Sequence, residues 1–183
     1  MPHDTSHQLR LMYAAGPGDV IGTWRHWKAN RDDPGQVAMT YSGQFYDVCR
    51  ELGATGYAIG SHPRRERVED EQFRVEHRPI YFRRASAPLY HLGQTYSAIQ
   101  MIVRALRFRA DAVIVADGSC HWFPLRILPL LGIAVIPTVH CMLWTRNNPP
   151  TGRVRKFLAR LDRPLWRRSA RAILSASSDI TGQ

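Results

Sequence analysis

Two short runs, AVIVA at 112–116 and IAVIPTV at 133–139, are apolar at nearly every position. A strand with one wet face alternates polar and apolar residues; a strand apolar throughout is covered on both faces, as in a parallel sheet held between helices. Parallel neighbours cannot be joined by a tight turn, so each pair needs a crossover, usually a helix. The flanking residues supply such helices. Tyr96, Ile99, Ile102, Val103 and Leu106 recur at helical spacing, with Gln100, Arg104 and Arg107 on the opposite face, and predict a helix packed through the apolar stripe. WFPLRILPLL at 122–131 predicts a helix after Pro124, irregular at Pro129.

The same alternation extends through the chain. LRLMYAA at 9–15 predicts a first strand ending in Gly16-Pro17-Gly18, followed by a polar loop carrying Trp24, Arg25 and Trp27 as far as Pro34-Gly35. QVAMTYSGQFYDVCREL at 36–52 places Tyr41, Phe45, Val48, Cys49 and Leu52 on one helical face, with Gly53 positioned to stop the helix. TGYAIG at 55–60 predicts a second strand, 62–72 an exposed charged loop, and FRVEHRPI at 73–80 a short strand. The glutamates Glu66, Glu69, Glu71 and Glu76 fall in this charged region. RVRKFLARLDRPLWRRSA predicts a helix kinked at Pro164, and AILSAS at 172–177 the last strand. The fold class expected is α/β, a Rossmann-like parallel sheet with helices on both faces, in a single domain spanning 1–183.

A chain of 183 residues, 44% hydrophobic and 22% charged, suffices for one packed core. The three cysteines, Cys49, Cys120 and Cys141, form no CxxC pair. That excludes a disulfide scaffold and a zinc ribbon, and fits a reducing, cytoplasmic setting. Of the formal net charge of +10, the stretch Arg153–Arg171 holds eight basic residues against one acid, Asp162. Such a block suits anionic lipid headgroups or nucleic acid, and equally a solvated helix face. The start, MPHDTSHQLR, lacks the apolar core of a signal peptide. LRILPLLGIAVIPTVHCMLW at 125–144 is interrupted by Arg126, Pro129, Gly132, Pro137 and His140, and reads as a helix and a strand rather than a membrane span.

In open parallel sheets, ligands bind beyond the carboxyl ends of the strands. That rule selects Gly16 and Gly18 after the first strand, Ser61 and His62 after the second, Asp117-Gly118-Ser119 after AVIVA, and His140 after IAVIPTV. An imidazole there can move protons near neutral pH or donate to a substrate oxygen, or simply satisfy loop carbonyls. Asp117, Ser119 and His121 could bond substrate hydroxyls, although Asp-Gly-Ser is also ordinary turn chemistry. Tyr41 stands near the same crevice, as a substrate contact or a packing residue. Trp24, Trp27 and Arg25 could stack on a sugar or lipid headgroup, or form a lid. His121 and His140 beside Cys120 and Cys141 have no metal-ligand spacing, so no metal site is expected. No GxSxG surrounds Ser42, Ser119 or Ser175, and GPGDVIG is neither GxGxxG nor a P-loop. Hydrolase, dehydrogenase and nucleotidase readings fall behind.

The succession DAVIVADGS, GIAVIPTVHCMLW and RRSARAILSASSDITGQ resembles the amino-terminal half of family 4 glycosyltransferases of the GT-B type. The family has a strand beginning with Asp, a strand ending T-hydrophobic-H, a basic helix and a strand ending in serine. The resemblance runs from Leu9 and is strongest from Asp111 to Ser178. It implies sugar transfer from a nucleotide-sugar, with this half as the acceptor side and His140 as the catalytic histidine. It implies a glycine loop approaching the donor phosphates, for which Gly16, Gly18 and Gly35 are candidates and equally turn residues. It further implies a retaining outcome, no metal, and no cofactor apart from the nucleotide-diphosphate sugar as co-substrate. The acceptor would be a saccharide or lipid-linked precursor at the inner face of the cell membrane, with Arg153–Arg171 on anionic lipid. The carboxy-terminal donor-binding domain would lie outside this chain, leaving the chain alone inactive. The alternative is a non-catalytic basic module for nucleic acid or anionic surfaces. No nucleic-acid motif accompanies the basic run, so no specific nucleic acid is expected. A third possibility is a small-molecule-binding Rossmann domain of an unrelated enzyme.

Overall fold

The apolar runs pair with one another. In the computed structural model, which describes residues 8–35, 41–79, 82, 86–139 and 152–175, seven strands form one sheet: β1 (Arg10–Pro17), β2 (Thr55–Ser61), β3 (Glu66–Glu69), β4 (Phe73–Arg78), β5 (Ala112–Ala116), β6 (Ala134–Val139) and β7 (Leu174–Ser175). Their order is β3-β4-β2-β1-β5-β6-β7. Every pair is parallel except β3 with β4 at the edge. Without that edge strand the order is the doubly wound Rossmann arrangement, in which the winding reverses between β1 and β5. The chain is a Rossmann-like α/β fold.

Alternation along the strands serves two cores. Met12, Ala14, Val113, Val115 and Val135 face one side, where they pack on α3 (Ala87–Phe108), α4 (Ile127–Leu130) with its preceding 3-10 turn Phe123–Arg126, and Leu165. Leu11, Tyr13, Ala58 and Val75 face the other, against α1 (Val20–Lys28) and α2 (Tyr41–Glu51). Each fully buried Val, Leu or Met among them contributes about 1.5–3 kcal/mol. Asp111 fixes the β1–β5 register, since its Oδ2 accepts from the backbone N–H of Arg10 at 2.7 Å and its own N–H donates to the Arg10 carbonyl at 2.8 Å. Gly53, at φ +59°, ends α2 as its position suggests.

Three expectations need correcting. The supposed loop after β1 contains α1, capped at Asp19, whose side chain accepts the Gly22 N–H. Trp24 and Trp27 therefore belong to the core and not to a lid. Trp24 is buried, and Trp27 packs on Tyr46 and Phe73 while its indole N–H donates to Asp47; Arg25 pairs with Glu66. The charged segment 62–72 contains β3, and Glu76 is a buried β4 residue rather than part of a loop.

The third correction concerns α3. Its sheet-facing side is Gly93, Gln94, Ala98, Met101, Ala105 and Phe108, of which Gly93, Ala98 and Ala105 are small enough to let the helix approach the sheet closely. Tyr96, Ile99, Val103 and Leu106 are exposed instead, and Ile102 of the predicted stripe is half-buried against the core. At Pro164, where a kink is expected, α5 (Arg153–Pro164) runs on into a π-helical turn, Leu165–Ser169. Pro164 has no N–H to continue the i→i−4 ladder, and the wider turn that follows closes with the Ala170 N–H donating to the Leu165 carbonyl at 2.8 Å.

Candidate functional site at the sheet switch point

β1 leaves the sheet through Gly16, whose φ of +74° suits glycine. A Cβ at Gly16 would stand 3.1 Å from the Asp117 carbonyl oxygen and 3.5 Å from Ser119 Oγ. The buried Ser119 hydroxyl donates to the Ala14 carbonyl at 3.0 Å, and the Asp117 N–H donates to the Thr138 carbonyl at 3.1 Å. The Gly18 N–H donates to the Ser61 carbonyl at 3.2 Å. Gly16, Gly18, Asp117 and Ser119 thus meet at the carboxyl ends of β1, β2, β5 and β6, the place where ligands enter this fold. No shape change is needed to assemble them; backbone bonds already hold each one.

The other predicted residues are placed differently. Gly35 sits in an exposed turn, its N–H donating to Asp33 Oδ1 at 2.9 Å, while Asp33 Oδ2 accepts from Thr23 Oγ1 on the flank of α1. The structure gives it a turn role. His121 engages α3: its Nε2 lies 3.1 Å from His91 Nδ1 and the two rings stack. Burial first, and then His91, lowers the His121 pKa, and the 3.1 Å contact fits one ring N–H donating to the bare nitrogen of the other ring. Tyr41 heads α2, but its side chain lies outside the described residues. So does His140, the next residue after Val139 at the end of β6.

The start of α1 was not singled out by sequence reasoning, yet it shapes the site. Helix N-termini bind anions through free N–H groups. Here Gly22 N–H is bonded to Asp19 Oδ1 at 2.6 Å, Thr23 N–H to the Asp19 carbonyl at 3.0 Å, and Ile21 N–H to His77 Nε2 at 3.2 Å. A Cβ on Gly22 would meet Asp19 Oδ2 at 2.6 Å, and one on Gly60 would meet Val20 Cγ2 at 2.8 Å. The chain's own groups therefore occupy the Ile21, Gly22 and Thr23 donors, with the Asp19 carboxylate over the start of the helix. The signal was available: Asp before an apolar pair is an N-cap pattern.

His77 is buried and stacks on His62. Its Nε2 is also 3.1 Å from Asp19 Oδ1. Accepting from Ile21 places the neutral ring's proton on Nδ1, which has no hydrogen-bond partner among the described residues. Burial, and secondarily His62, lowers the His77 pKa and keeps the ring neutral.

The arrangement offers hydroxyl, carbonyl and carboxylate groups suited to hydrogen-bonding a polyhydroxyl ligand. Among the described residues, no group of three or more His, Cys, Asp or Glu could hold a metal ion. Cys49 and Cys120 are free and buried. Burial pushes the Cys49 thiol up to about 12 and that of Cys120 higher still, so neither serves as a thiolate nucleophile.

No family model matches the sequence, and no curated protein matches it. Among solved structures, the chain is similar to one described as the crystal structure of Acinetobacter baumannii MurG, with a TM-score of 0.46 and 14% identity. The similarity covers 95% of this chain and 42% of that one, so the chain spans less than half of that protein's length.

Proposed function

We propose that this chain is the acceptor-binding half of a glycosyltransferase that moves a sugar from a nucleotide-sugar to a saccharide or lipid-linked acceptor in polysaccharide or glycoconjugate synthesis. The observation that carries the reading is the meeting of Gly16, Asp117 and Ser119 at the switch point of a Rossmann-ordered sheet, with His140 immediately following β6. In this reading His140 acts beside the transferred sugar, and Asp117 and Ser119 line the acceptor side. Retention of configuration rests on the sequence resemblance alone. The nucleotide-diphosphate sugar is a co-substrate held by a second domain, and no further cofactor enters. With Asp19 closing the start of α1, donor phosphates approach through the Gly16–Gly18 turn and not through the helix amides.

The basic segment is proposed to rest on the inner face of the membrane. All eight of its cations are exposed, and among the described residues none has an ion pair. Exposed Val154 and Phe157 sit among them on α5, a composition suited to the lipid interface. No helix among the described residues is long and apolar enough to cross a membrane. Vesicle sedimentation should show a preference for anionic over zwitterionic lipid, abolished by removing the charges at 153–171; equal binding to both lipids removes this part. The same exposed cations favour a second reading, a non-catalytic module for polyanions. That reading predicts salt-sensitive binding to nucleic acid and no sugar transfer by the full-length protein with any nucleotide-sugar of a donor panel.

A further inference from the structure

Beside the switch point, beneath α3, lies a cavity of about 50 Å³ whose wall is apolar at Ile59, Pro79 and Met101 and polar at Ser61 at the end of β2, Arg78 at the end of β4, Ser97, Gln100 and Arg104 of α3, and Ser119. On a scale where one water needs about 10–15 Å³, this is room for several water positions or one small oxyanion. No carboxylate among the described residues lines it. Ser119 belongs also to the switch-point site, so the two share a wall.

Charge and donors in this cavity are unbalanced. Arg78 pairs through one Nη with the buried carboxylate of Glu76, which also accepts from the Tyr57 hydroxyl. The Arg78 Nε is buried without a hydrogen-bond partner among the described residues. Arg104 donates to Gln100 Oε1 at 3.2 Å, which leaves the Gln100 amide N–H groups as donors. Arg104 and Arg78 line the same cavity, and both guanidiniums oppose the rise that burial and Glu76 give the Tyr57 pKa. The cavity wall thus carries two cations, Arg78 paired with Glu76 and Arg104 without a carboxylate partner among the described residues.

We infer that this cavity binds a phosphate monoester, held by Arg78 and Arg104 with the Gln100 amide and the Ser61 and Ser97 hydroxyls around it. Two guanidiniums and several neutral donors exceed what the two oxygens of a carboxylate can use, and they match three phosphoryl oxygens carrying up to two charges. Next to an acceptor site, such a group belongs to the acceptor: a sugar phosphate or an isoprenyl phosphate. That attribution rests on the transferase reading; phosphate binding itself does not.

The test is titration of the chain with inorganic phosphate at constant ionic strength, with acetate as the carboxylate comparison. Arg78 neutralises buried Glu76, so Arg104→Gln is the cleaner variant, since both residues favour helix. Arg50→Gln, at an exposed arginine of α2, is the control for unspecific charge. The expected result is saturable phosphate binding, tenfold or more weaker in Arg104→Gln, unchanged in Arg50→Gln, and not matched by acetate. A sugar 1-phosphate and a short-chain isoprenyl phosphate should compete with phosphate, and the stronger competitor identifies the source. Absence of saturable binding, equal loss in both variants, no loss in either, equal binding of acetate, or competition by neither ester would overturn the inference. No sugar transfer is read here, so its failure is separate from failure of the proposed activity.

Discussion

The backbone N–H of Ile21, in the first turn of α1, donates to the Nε2 of buried His77 on β4 at 3.2 Å. The bond ties the helix that follows β1 to a strand two places away in the sheet, and it requires an unprotonated Nε2. Replacing the ring removes the acceptor and leaves a buried N–H unsatisfied, a cost of about 1–3 kcal/mol. His77→Leu should lose that much in urea unfolding at pH 8. A pH effect follows from the lowered His77 pKa. Below the ordinary value of 6.5, the unfolded chain takes up a proton that the folded ring refuses, so stability falls as pH drops through that range. His77→Leu should remove this contribution. An unchanged pH profile would show that His77 does not stay neutral.

Asp162 acts in the opposite direction. Burial raises its pKa from 3.8 to about 6, partly offset by a hydrogen bond from the Phe123 backbone. Between pH 6 and 4 the native state binds a proton that the unfolded state does not, so stability rises as pH falls. The full shift corresponds to at most about 3 kcal/mol, and partial exposure reduces it. Asp162→Asn should stabilise the protein by about 1–2 kcal/mol at pH 7.5 and flatten the profile below pH 6. Destabilisation at pH 7.5 would show the carboxylate to be well compensated.

Gly16 is held in the left-handed region with a carbonyl 3.1 Å from any added Cβ. Gly16→Ala should cost about 1–2 kcal/mol from backbone strain, with crowding against Asp117 in addition. Gly18 has open space around its Cβ position and no positive φ, so Gly18→Ala should change little. Thermal melts of the two variants check the contrast; equal midpoints would contradict the described turn.

The two faces of α3 give a packing test. Met101 is 7% exposed and Ile99 is 49% exposed. Met101→Ala should cost about 2–5 kcal/mol, and Ile99→Ser within about 0.5 kcal/mol. The reverse ranking would mean that the stripe containing Ile99 is the buried one.

What the sequence made legible follows from which forces leave a pattern. β5 and β6 were plain because burial on both faces demands uninterrupted Val, Ile and Ala. α1 was hidden: Val20, Ile21 and Trp24 carry its buried side, but nine residues with glycine, arginine and histidine between them resemble a polar loop. β3 was hidden because a short charged edge strand resembles the loop it interrupts. On α3 the period was right and the face was wrong, because close contact with a sheet favours Ala98 and Ala105 over larger residues. Gly16, Asp117 and Ser119 were found through the rule for strand ends. The pairing of Arg78 with Arg104 comes from separate elements and leaves no motif. His140 and the side chain of Tyr41 lie outside the described residues.

The most direct measurement is the initial rate of sugar transfer from nucleotide-sugars by the full-length protein, with and without His140→Ala. An acid–base or hydrogen-bonding role predicts measurable transfer that falls by about 10²–10⁴-fold in the variant, with the folded state intact by circular dichroism. Transfer at the unaltered rate after loss of the imidazole, or no transfer to any acceptor by the intact protein, would contradict the account.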